Sequence, residues 1–272
     1  MSHWKDMARS FRKALLISWT QNTGFRVNLC NHTFRVAYEA RGWPEDRDYY
    51  LLQKLAEDRA CILDVGANIG MASLVMSTSM RPNGKIHDFE ASEDACRVAS
   101  ENFRLNSLEE KVQMVNALVS ENSSDVCAFY WDYASGGAST IAGYMGREFA
   151  IYKATVSIDA YCERINLHPD LVKIDVEGAE AGVLRGMLRV LTVNKPIVAL
   201  ELHGWDQMSV AQNTANILPF LWEVEYKMIY LRTQEEIKDA SVLSNRGRCH
   251  VLLIPQGDLL PAALANLDMS LL

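Results

Sequence analysis

The stretch of sequence that decides the fold is CILDVGANIG, residues 61–70. Its first half is apolar and predicts a buried strand, and its second half is a glycine turn that opens a helix. Gly66 and Gly70 suit such a turn, because glycine adopts positive φ and lets a ligand approach the backbone closely. In an open α/β sheet, small molecules bind at the carboxyl ends of the strands. The stretch therefore predicts a ligand-binding loop between a strand and a helix.

Strands and helices alternate along the chain from residue 60 onward, which predicts an α/β fold with a parallel sheet and helices on both faces. The expected extended segments are Cys61–Val65, Lys85–Phe89, Val112–Val115, Val126–Trp131, Thr155–Asp159, Leu171–Asp175, Ile197–Leu202, Trp222–Tyr230 and His250–Ile254. The expected helices are Asp46–Asp58, Met71–Met80, Ser92–Asn106, Ala179–Val190 and Ala211–Leu218, with Pro219 as the stop of the last one. The two late strands are expected to pair as an antiparallel edge.

The first 45 residues differ from this pattern and form a predicted N-terminal extension, whereas residues 46–272 form the main domain. Apolar residues recur at helical spacing over residues 3–19, and two short strands are expected before Gly42. A packing helix, a lid over a site and an arm that joins a homodimer are all compatible with this segment.

Composition restricts the classes of partner. The 272 residues carry a formal net charge of -7 and no run of lysine and arginine, so a nucleic-acid partner is not expected. No stretch approaches the roughly 18 apolar residues that span a bilayer, so no membrane partner is expected either. The six cysteines include no C-x-x-C pair, which fits a cytoplasmic protein without disulfides.

The loop at residues 64–70 departs from the pattern of a dinucleotide-binding turn. Such a turn reads G-x-G-x-x-G, whereas Asn68 stands midway between Gly66 and Gly70 here. Asp64 would repel a pyrophosphate, but it can accept a bond from a cationic ammonium group such as that of S-adenosylmethionine. Glu90, at the tip of the second strand, can bind the two hydroxyls of an adenosine ribose. Together these residues predict a nucleoside-type cofactor.

Several short motifs then follow one another in a recognisable order. They are ILDVGANIG (62–70), DFE (88–90), SID (157–159), LVKIDVEGAE (171–180) and IVALE (197–201). In these motifs the chain resembles the FkbM family of class I S-adenosylmethionine-dependent methyltransferases. The resemblance covers roughly residues 60–205 and says little about either end of the chain.

The resemblance implies a Rossmann-like, seven-stranded sheet and methyl transfer from S-adenosylmethionine, typically to a hydroxyl oxygen of a sugar, a polyketide or another natural product. It assigns to the cofactor Asp64, Gly66, Ala67, Asn68 and Gly70 on the methionine side, Glu90 with the adjoining Ala91 at the ribose, and Asn116 and Ala117 at the adenine. The family tends to have proline after the ribose acid, where this chain has Ala91. That departure changes the stiffness of the loop rather than its chemistry.

Candidates for the chemistry lie near the carboxyl ends of the later strands. Lys173, Asp175 and Glu177 alternate, so they share one face if the strand continues that far, and Asp175 then faces the cofactor. Glu201 and His203 alternate at the tip of the next strand. A base must remove the proton of the acceptor hydroxyl. His203 or Asp175 is predicted as that base, with Lys173 and Glu177 orienting it, and a purely structural ion-pair network is the alternative.

Three other functions remain open at the level of the sequence. Asp175, Glu177, Glu201 and His203 could form a Mg²⁺ site of the kind used in catechol-type O-methylation, although no spacing demands a metal and none is predicted. A nicotinamide-dependent oxidoreductase is disfavoured by the missing central glycine. A non-catalytic scaffold that keeps the cofactor fold is the third alternative, because a fold does not fix a function.

Overall fold

The computed structural model describes residues 47–131, 138–139, 150–205, 207–265, 267 and 269. The predicted N-terminal extension, residues 1–45, lies outside these residues. The strands are β1 (Cys61–Val65), β2 (Lys85–Glu90), β3 (Val112–Asn116), β4 (Leu118–Val119), β5 (Val126–Trp131), β6 (Ala138–Ser139), β7 (Ala150–Val156), β8 (Leu171–Ile174), β9 (Ile197–His203), β10 (Tyr226–Tyr230), β11 (Glu235–Glu236) and β12 (Arg248–Pro255). The α-helices are α1 (Arg47–Leu55), α2 (Met71–Met76), α3 (Glu93–Leu105), α4 (Ile158–Ile165), α5 (Glu180–Arg185) and α6 (Val210–Glu223).

The central sheet has eight strands in the order β11-β10-β12-β9-β8-β1-β2-β3. The adjacent strands β9, β8, β1, β2 and β3 run parallel. Strand β12 pairs antiparallel with both β9 and β10. Since β11 has only two residues, seven longer strands make up the Rossmann-like sheet that the family resemblance implies. The predicted antiparallel pairing of the two late strands is confirmed, but β12 lies inside the sheet and only β10 lies near its edge.

Two apolar cores lie on opposite faces of the sheet, because neighbouring residues of a strand point to opposite sides. Ile62 belongs to one core with residues of α1, α2 and α3. Leu63 belongs to the other core with residues of α4, α5 and α6. The predicted helices on both faces are therefore present. Within the described residues, no helix is both long and apolar enough to cross a bilayer.

A second sheet of four strands, in the order β4-β7-β5-β6, accompanies the first. The segment Val126–Trp131, predicted from its apolar residues, is a strand of this second sheet and pairs antiparallel with β7. The extended segment predicted at Thr155–Asp159 ends earlier, at Val156. Its last residues instead start α4, whose first turn is capped by the Ser157 hydroxyl.

Helix boundaries account for most of the differences from the sequence prediction. The helix expected over Met71–Met80 stops at Met76, where the hydroxyls of Ser77 and Thr78 bond to carbonyl oxygens of its last turn. The helix expected over Ala179–Val190 covers Glu180–Arg185, and a π-helical turn follows at Val190–Asn194.

Pro219 was predicted to stop a helix, and that prediction is wrong. Helix α6 begins at Val210 behind a Ser209 capping box and continues through Pro219 to Glu223. Proline leaves one carbonyl of the preceding turn without its helical donor, here that of Ala215. Ala215 and Pro219 are both exposed, so water can satisfy that carbonyl at little cost. Strand β10, expected from Trp222, consequently starts only at Tyr226.

Candidate functional site

The loop after β1 is held between the ends of two neighbouring strands. The backbone N–H groups of Gly66 and Ala67 both donate to the Phe89 carbonyl of β2, at 2.9 and 3.0 Å. On the other side, the Lys173 ammonium group donates to the Gly66 carbonyl at 2.9 Å. Gly66 has φ 80°, and a Cβ there would lie 1.8 Å from the Asp175 carbonyl oxygen. The loop therefore requires glycine at this position, and it presses directly against the residues that follow β8.

Left-handed backbone at Asn68 and Gly70 turns the loop into α2. Their φ angles are 51° and 82°. A Cβ on Gly70 would lie 2.5 Å from the ring of Phe103. Both glycines of the loop are therefore at positions where a side chain would collide with a neighbour. The turn also aims the Asn68 N–H at Glu90, which lies at the end of β2.

The Glu90 carboxylate, which is predicted to bind a ribose, lies at the end of β2 beside this loop. Its oxygens accept from the backbone N–H groups of Asn68, at 2.9 Å, and Ser92, at 2.7 Å. Burial raises the pKa of Glu90, although these N–H groups oppose the shift. Because each carboxylate oxygen has two lone pairs, each can still accept a ligand hydroxyl. Two hydroxyls of a ribose could therefore donate to these two oxygens.

The residues predicted at the adenine lie beside Glu90, at the end of β3. Asn116 donates from its side chain to the Glu90 carbonyl at 2.9 Å, and the Ala117 N–H donates to the same carbonyl at 3.1 Å. Ala91 is buried with Leu118 in a small apolar cluster. These contacts bring the tips of β2 and β3 together next to the loop.

Asp64 is fully buried, and each of its two carboxylate oxygens contacts another side chain. One oxygen forms an ion pair with the Lys173 ammonium at 3.1 Å, and the other accepts from the Ser73 hydroxyl at 3.2 Å. The same hydroxyl lies 2.6 Å from a carboxylate oxygen of Asp88, which is also fully buried. Burial, together with the charge of Asp64, raises the pKa of Asp88 well above its ordinary value. The sequence reasoning assigned no role to Ser73 or Asp88.

Lys173 links the cofactor loop to the next cluster of side chains. Its ammonium group lies 3.1 Å from Asp64 and 3.7 Å from Asp175. Burial opposes the charge, but these two carboxylates outweigh it and raise the pKa of Lys173. The residue therefore stays cationic and acts by holding the loop and Asp175 in place.

His203 is the centre of the second cluster. Its Nδ1 donates to the fully buried Glu180 carboxylate at 2.9 Å. Its Nε2 points toward carboxylate oxygens of Glu201, Asp175 and Glu177, at 3.6, 3.7 and 3.8 Å. Burial alone would lower the pKa of His203, but the bond to Glu180 and the surrounding charges raise it to about 9. The predicted catalytic residues thus come together at the tips of β8 and β9.

Glu177 joins this cluster by a route that strand geometry did not predict. Strand β8 ends at Ile174, so the alternation expected over Lys173, Asp175 and Glu177 does not continue as a strand. Glu177 instead has a left-handed φ of 53°, followed by Gly178 with φ 102°. This turn brings a carboxylate oxygen of Asp175, a carboxylate oxygen of Glu177 and a ring nitrogen of His203 within 4.8 Å of one another.

Two residues that sequence reasoning missed support the histidine. Glu180 also accepts from the side-chain amide of Asn213, at 2.9 Å, and that amide is 3.1 Å from the His203 carbonyl. Asn213 is buried within α6. The sequence feature that could have identified it is a polar amide placed among apolar residues of a helix.

Glu201 pairs with Arg248 at 3.0 Å. Burial and the charge of Asp175 raise the pKa of Glu201.

Comparison with known proteins identifies a family. The family model described as the methyltransferase FkbM domain matches residues 64–228, which is more than half of the chain. No curated protein sequence matches the chain.

Several solved structures are similar to the fold at low sequence identity. A methyltransferase FkbM from Methylobacillus flagellatus KT has 13% identity and a TM-score of 0.45, and the match covers 73% of this chain and 44% of that one. A precorrin-6y C5,15-methyltransferase from Geobacter metallireducens has 14% identity and a TM-score of 0.44, covering 76% and 87%. An O-methyltransferase from Bacillus cereus in complex with SAH has 12% identity and a TM-score of 0.43, covering 77% and 78%.

Proposed function

The chain belongs to the methyltransferase FkbM domain family, and from that premise we propose that it transfers a methyl group from S-adenosylmethionine to a hydroxyl oxygen of a small molecule. The observation that carries the proposal is the position of Glu90 beside a loop that also contacts the backbone of Asp175. Glu90 offers two carboxylate oxygens to a ribose at one end of this loop. At the other end, Gly66 touches the backbone of Asp175, beside His203.

The cofactor supplies a methyl group that is reactive because it is bonded to a positively charged sulfur. The chain's own residues have to hold the acceptor oxygen and remove its proton. Asp175 suits the role of base, because its side chain is 31% exposed and lies beside the cofactor loop. His203 is 7% exposed, with one nitrogen bonded to Glu180, so it suits orienting Asp175 rather than contacting the acceptor.

The acceptor is proposed to be a small molecule in the cytoplasm. The net charge of -7 and the absence of a basic run in the sequence disfavour a nucleic acid. The cluster that would receive the acceptor is rich in carboxylates, which favours a neutral or cationic hydroxyl compound over an anionic one.

Calorimetric titration with S-adenosylhomocysteine tests the proposal. Glu90→Ala should weaken its binding at least tenfold, because a hydrogen bond to a charged group contributes about 1.5–3 kcal/mol. The matched control is Glu93→Ala, three residues along the chain, where the side chain is 85% exposed. Asp175→Asn should retain S-adenosylhomocysteine binding while losing methyl transfer to a panel of sugar and polyketide hydroxyls.

Two outcomes would contradict the proposal. Equal affinity in Glu90→Ala and Glu93→Ala would remove the ribose assignment. Full methyl transfer by Asp175→Asn would show that Asp175 is not the base.

A further inference from the structure

The cluster at the tips of β8 and β9 has the spacing of a metal-ion site. Asp175, Glu177 and His203 each offer a ligand atom, and these atoms lie within 4.8 Å of one another. An octahedral ion with ligand distances of about 2.1 Å places its ligand atoms about 3 to 4.2 Å apart. The distances from His203 Nε2 to the two carboxylates, 3.7 and 3.8 Å, lie within that range.

The orientation of His203 is an independent observation that points to a ligand. The side chain is 7% exposed, so its ring cannot turn freely toward water. Nδ1 is occupied by Glu180, which Asn213 holds in place. Nε2 faces the carboxylates from beyond hydrogen-bond distance. Histidines that bind metals characteristically donate their other ring N–H to a carboxylate in this way.

The charges around the cluster also favour a cation. The carboxylates that face it or lie directly behind it are Asp64, Asp175, Glu177, Glu180 and Glu201, and the cations are Lys173, Arg248 and, until an ion binds, the His203 imidazolium. The carboxylates outnumber the cations in a half-buried environment. An ion between Asp175, Glu177 and His203 would offset this excess.

We propose that Asp175, Glu177 and His203 bind one divalent transition-metal ion. One imidazole with two carboxylates suits Mn²⁺ or a neighbouring first-row ion better than Ca²⁺, which takes oxygen ligands alone. Three protein ligands leave coordination positions open. If the chain is the proposed methyltransferase, an acceptor oxygen can occupy one of these positions, because Asp175 adjoins the cofactor loop.

The test uses the full chain, stripped of metal with a chelator, and titrates it with Mn²⁺. Electron paramagnetic resonance of free Mn²⁺ should report one ion bound per chain, and Ca²⁺ should compete at least tenfold more weakly. His203→Ala should weaken Mn²⁺ binding at least tenfold. The matched control is His168→Ala, an exposed histidine on another part of the surface.

A second variant guards against a folding defect, because His203→Ala removes the imidazole partner of the fully buried Glu180. Glu177→Gln alters a half-exposed side chain and should also weaken Mn²⁺ binding at least tenfold, with unchanged circular dichroism. Undiminished Mn²⁺ binding in Glu177→Gln and His203→Ala would overturn the site, as would no binding by the unaltered chain.

The outcome of the Mn²⁺ titration can be distinguished from the outcome of the S-adenosylhomocysteine titration. Binding of S-adenosylhomocysteine without Mn²⁺ binding would leave the methyltransferase proposal intact and refute the metal site. Mn²⁺ binding without S-adenosylhomocysteine binding would support the metal site and refute the methyltransferase proposal.

Discussion

At the scale of single residues, the hydroxyl of Ser73 joins two buried carboxyl groups. It lies 3.2 Å from Asp64 and 2.6 Å from Asp88, and one hydroxyl hydrogen cannot serve both. Asp64 has the Lys173 ammonium as a partner, whereas burial and the charge of Asp64 raise the pKa of Asp88. We therefore expect Asp88 to be the group that keeps its proton, in which case Asp88 donates to Ser73 while Ser73 donates to Asp64.

This assignment predicts that Asp88→Asn is tolerated. An acid whose pKa is raised by folding loses stability as the pH rises from its unfolded value toward its folded value. Asparagine removes that loss, so the stability of the variant relative to the unaltered chain should increase between pH 5 and pH 8. Urea unfolding at both pH values measures this change.

Asp64→Asn is the matched control for Asp88→Asn. It removes the main partner of the buried Lys173, so it should cost about 3 kcal/mol of unfolding free energy. If Asp88→Asn were as destabilising as Asp64→Asn at pH 8, the proton would not reside on Asp88.

At the scale of elements, α1 contacts the sheet through a polar pair as well as through its apolar face. His250 on β12 lies 3.4 Å from Asp48 on α1. Burial lowers the pKa of His250, but the bond to Asp48 and the charge of Glu201 raise it more, against the opposing charge of Arg248. For Asp48, burial raises the pKa, and the bond and charge of His250 lower it overall.

The contact is therefore predicted to stabilise the fold in a limited range of pH. The raised pKa of His250 contributes stability that is complete below pH about 6.5 and is lost as the pH rises through the folded value. The lowered pKa of Asp48 contributes stability above pH about 4 that is lost in stronger acid. Asp48→Asn should thus cost about 0.5 kcal/mol near pH 5.5, a small value because Asp48 is 46% exposed, and less at pH 9.

Urea unfolding of the Asp48→Asn variant at pH 5.5 and pH 9 measures this difference. Asp58→Asn, on the exposed turn after α1, is the control, because it removes a carboxylate nearby in the chain and leaves the contact of Asp48 with His250 in place. A cost for Asp48→Asn that is equal at both pH values would mean that the ion pair does not form.

At the scale of the whole molecule, the proposed cofactor site lies where the order of the sheet reverses. The chain passes from β1 outward to β2 and β3 on one side, and to β8 and β9 on the other. The loop after β1 touches the ends of both neighbours. A ligand there contacts groups from both halves of the sheet, so it should stabilise the domain as a unit.

Thermal unfolding tests this coupling. At one hundred times its dissociation constant, a ligand adds about 2.7 kcal/mol to the free energy of unfolding. For a chain of this size, S-adenosylhomocysteine should then raise Tm by about 5–10 °C. NAD at the same concentration should cause no shift, and a shift with NAD alone would contradict the proposed cofactor.

The sequence by itself determined the parts of this protein that depend on neighbouring residues. The spacing of apolar residues and the positions of turn-forming residues predicted the strand and loop at residues 61–70, the alternation of strands and helices, and both late strands. Their boundaries were less well predicted, as at Pro219, because solvent exposure decides whether a missing helical bond is costly.

Only the tertiary structure decided which distant groups meet. Ser73 and Asp88 are 15 positions apart, and Glu180 and Asn213 are 33 apart, yet each pair forms a buried hydrogen bond. No periodicity links such residues, since their contact depends on strand order and on how helices pack on the sheet. The sequence predicted a cofactor loop and a set of polar residues near it. The pairing of β8 with β1 and with β9 brought Lys173, Asp175 and His203 together. Contacts of this kind follow from three-dimensional packing, because a buried polar group is stabilised by a hydrogen bond to whichever group the fold places beside it.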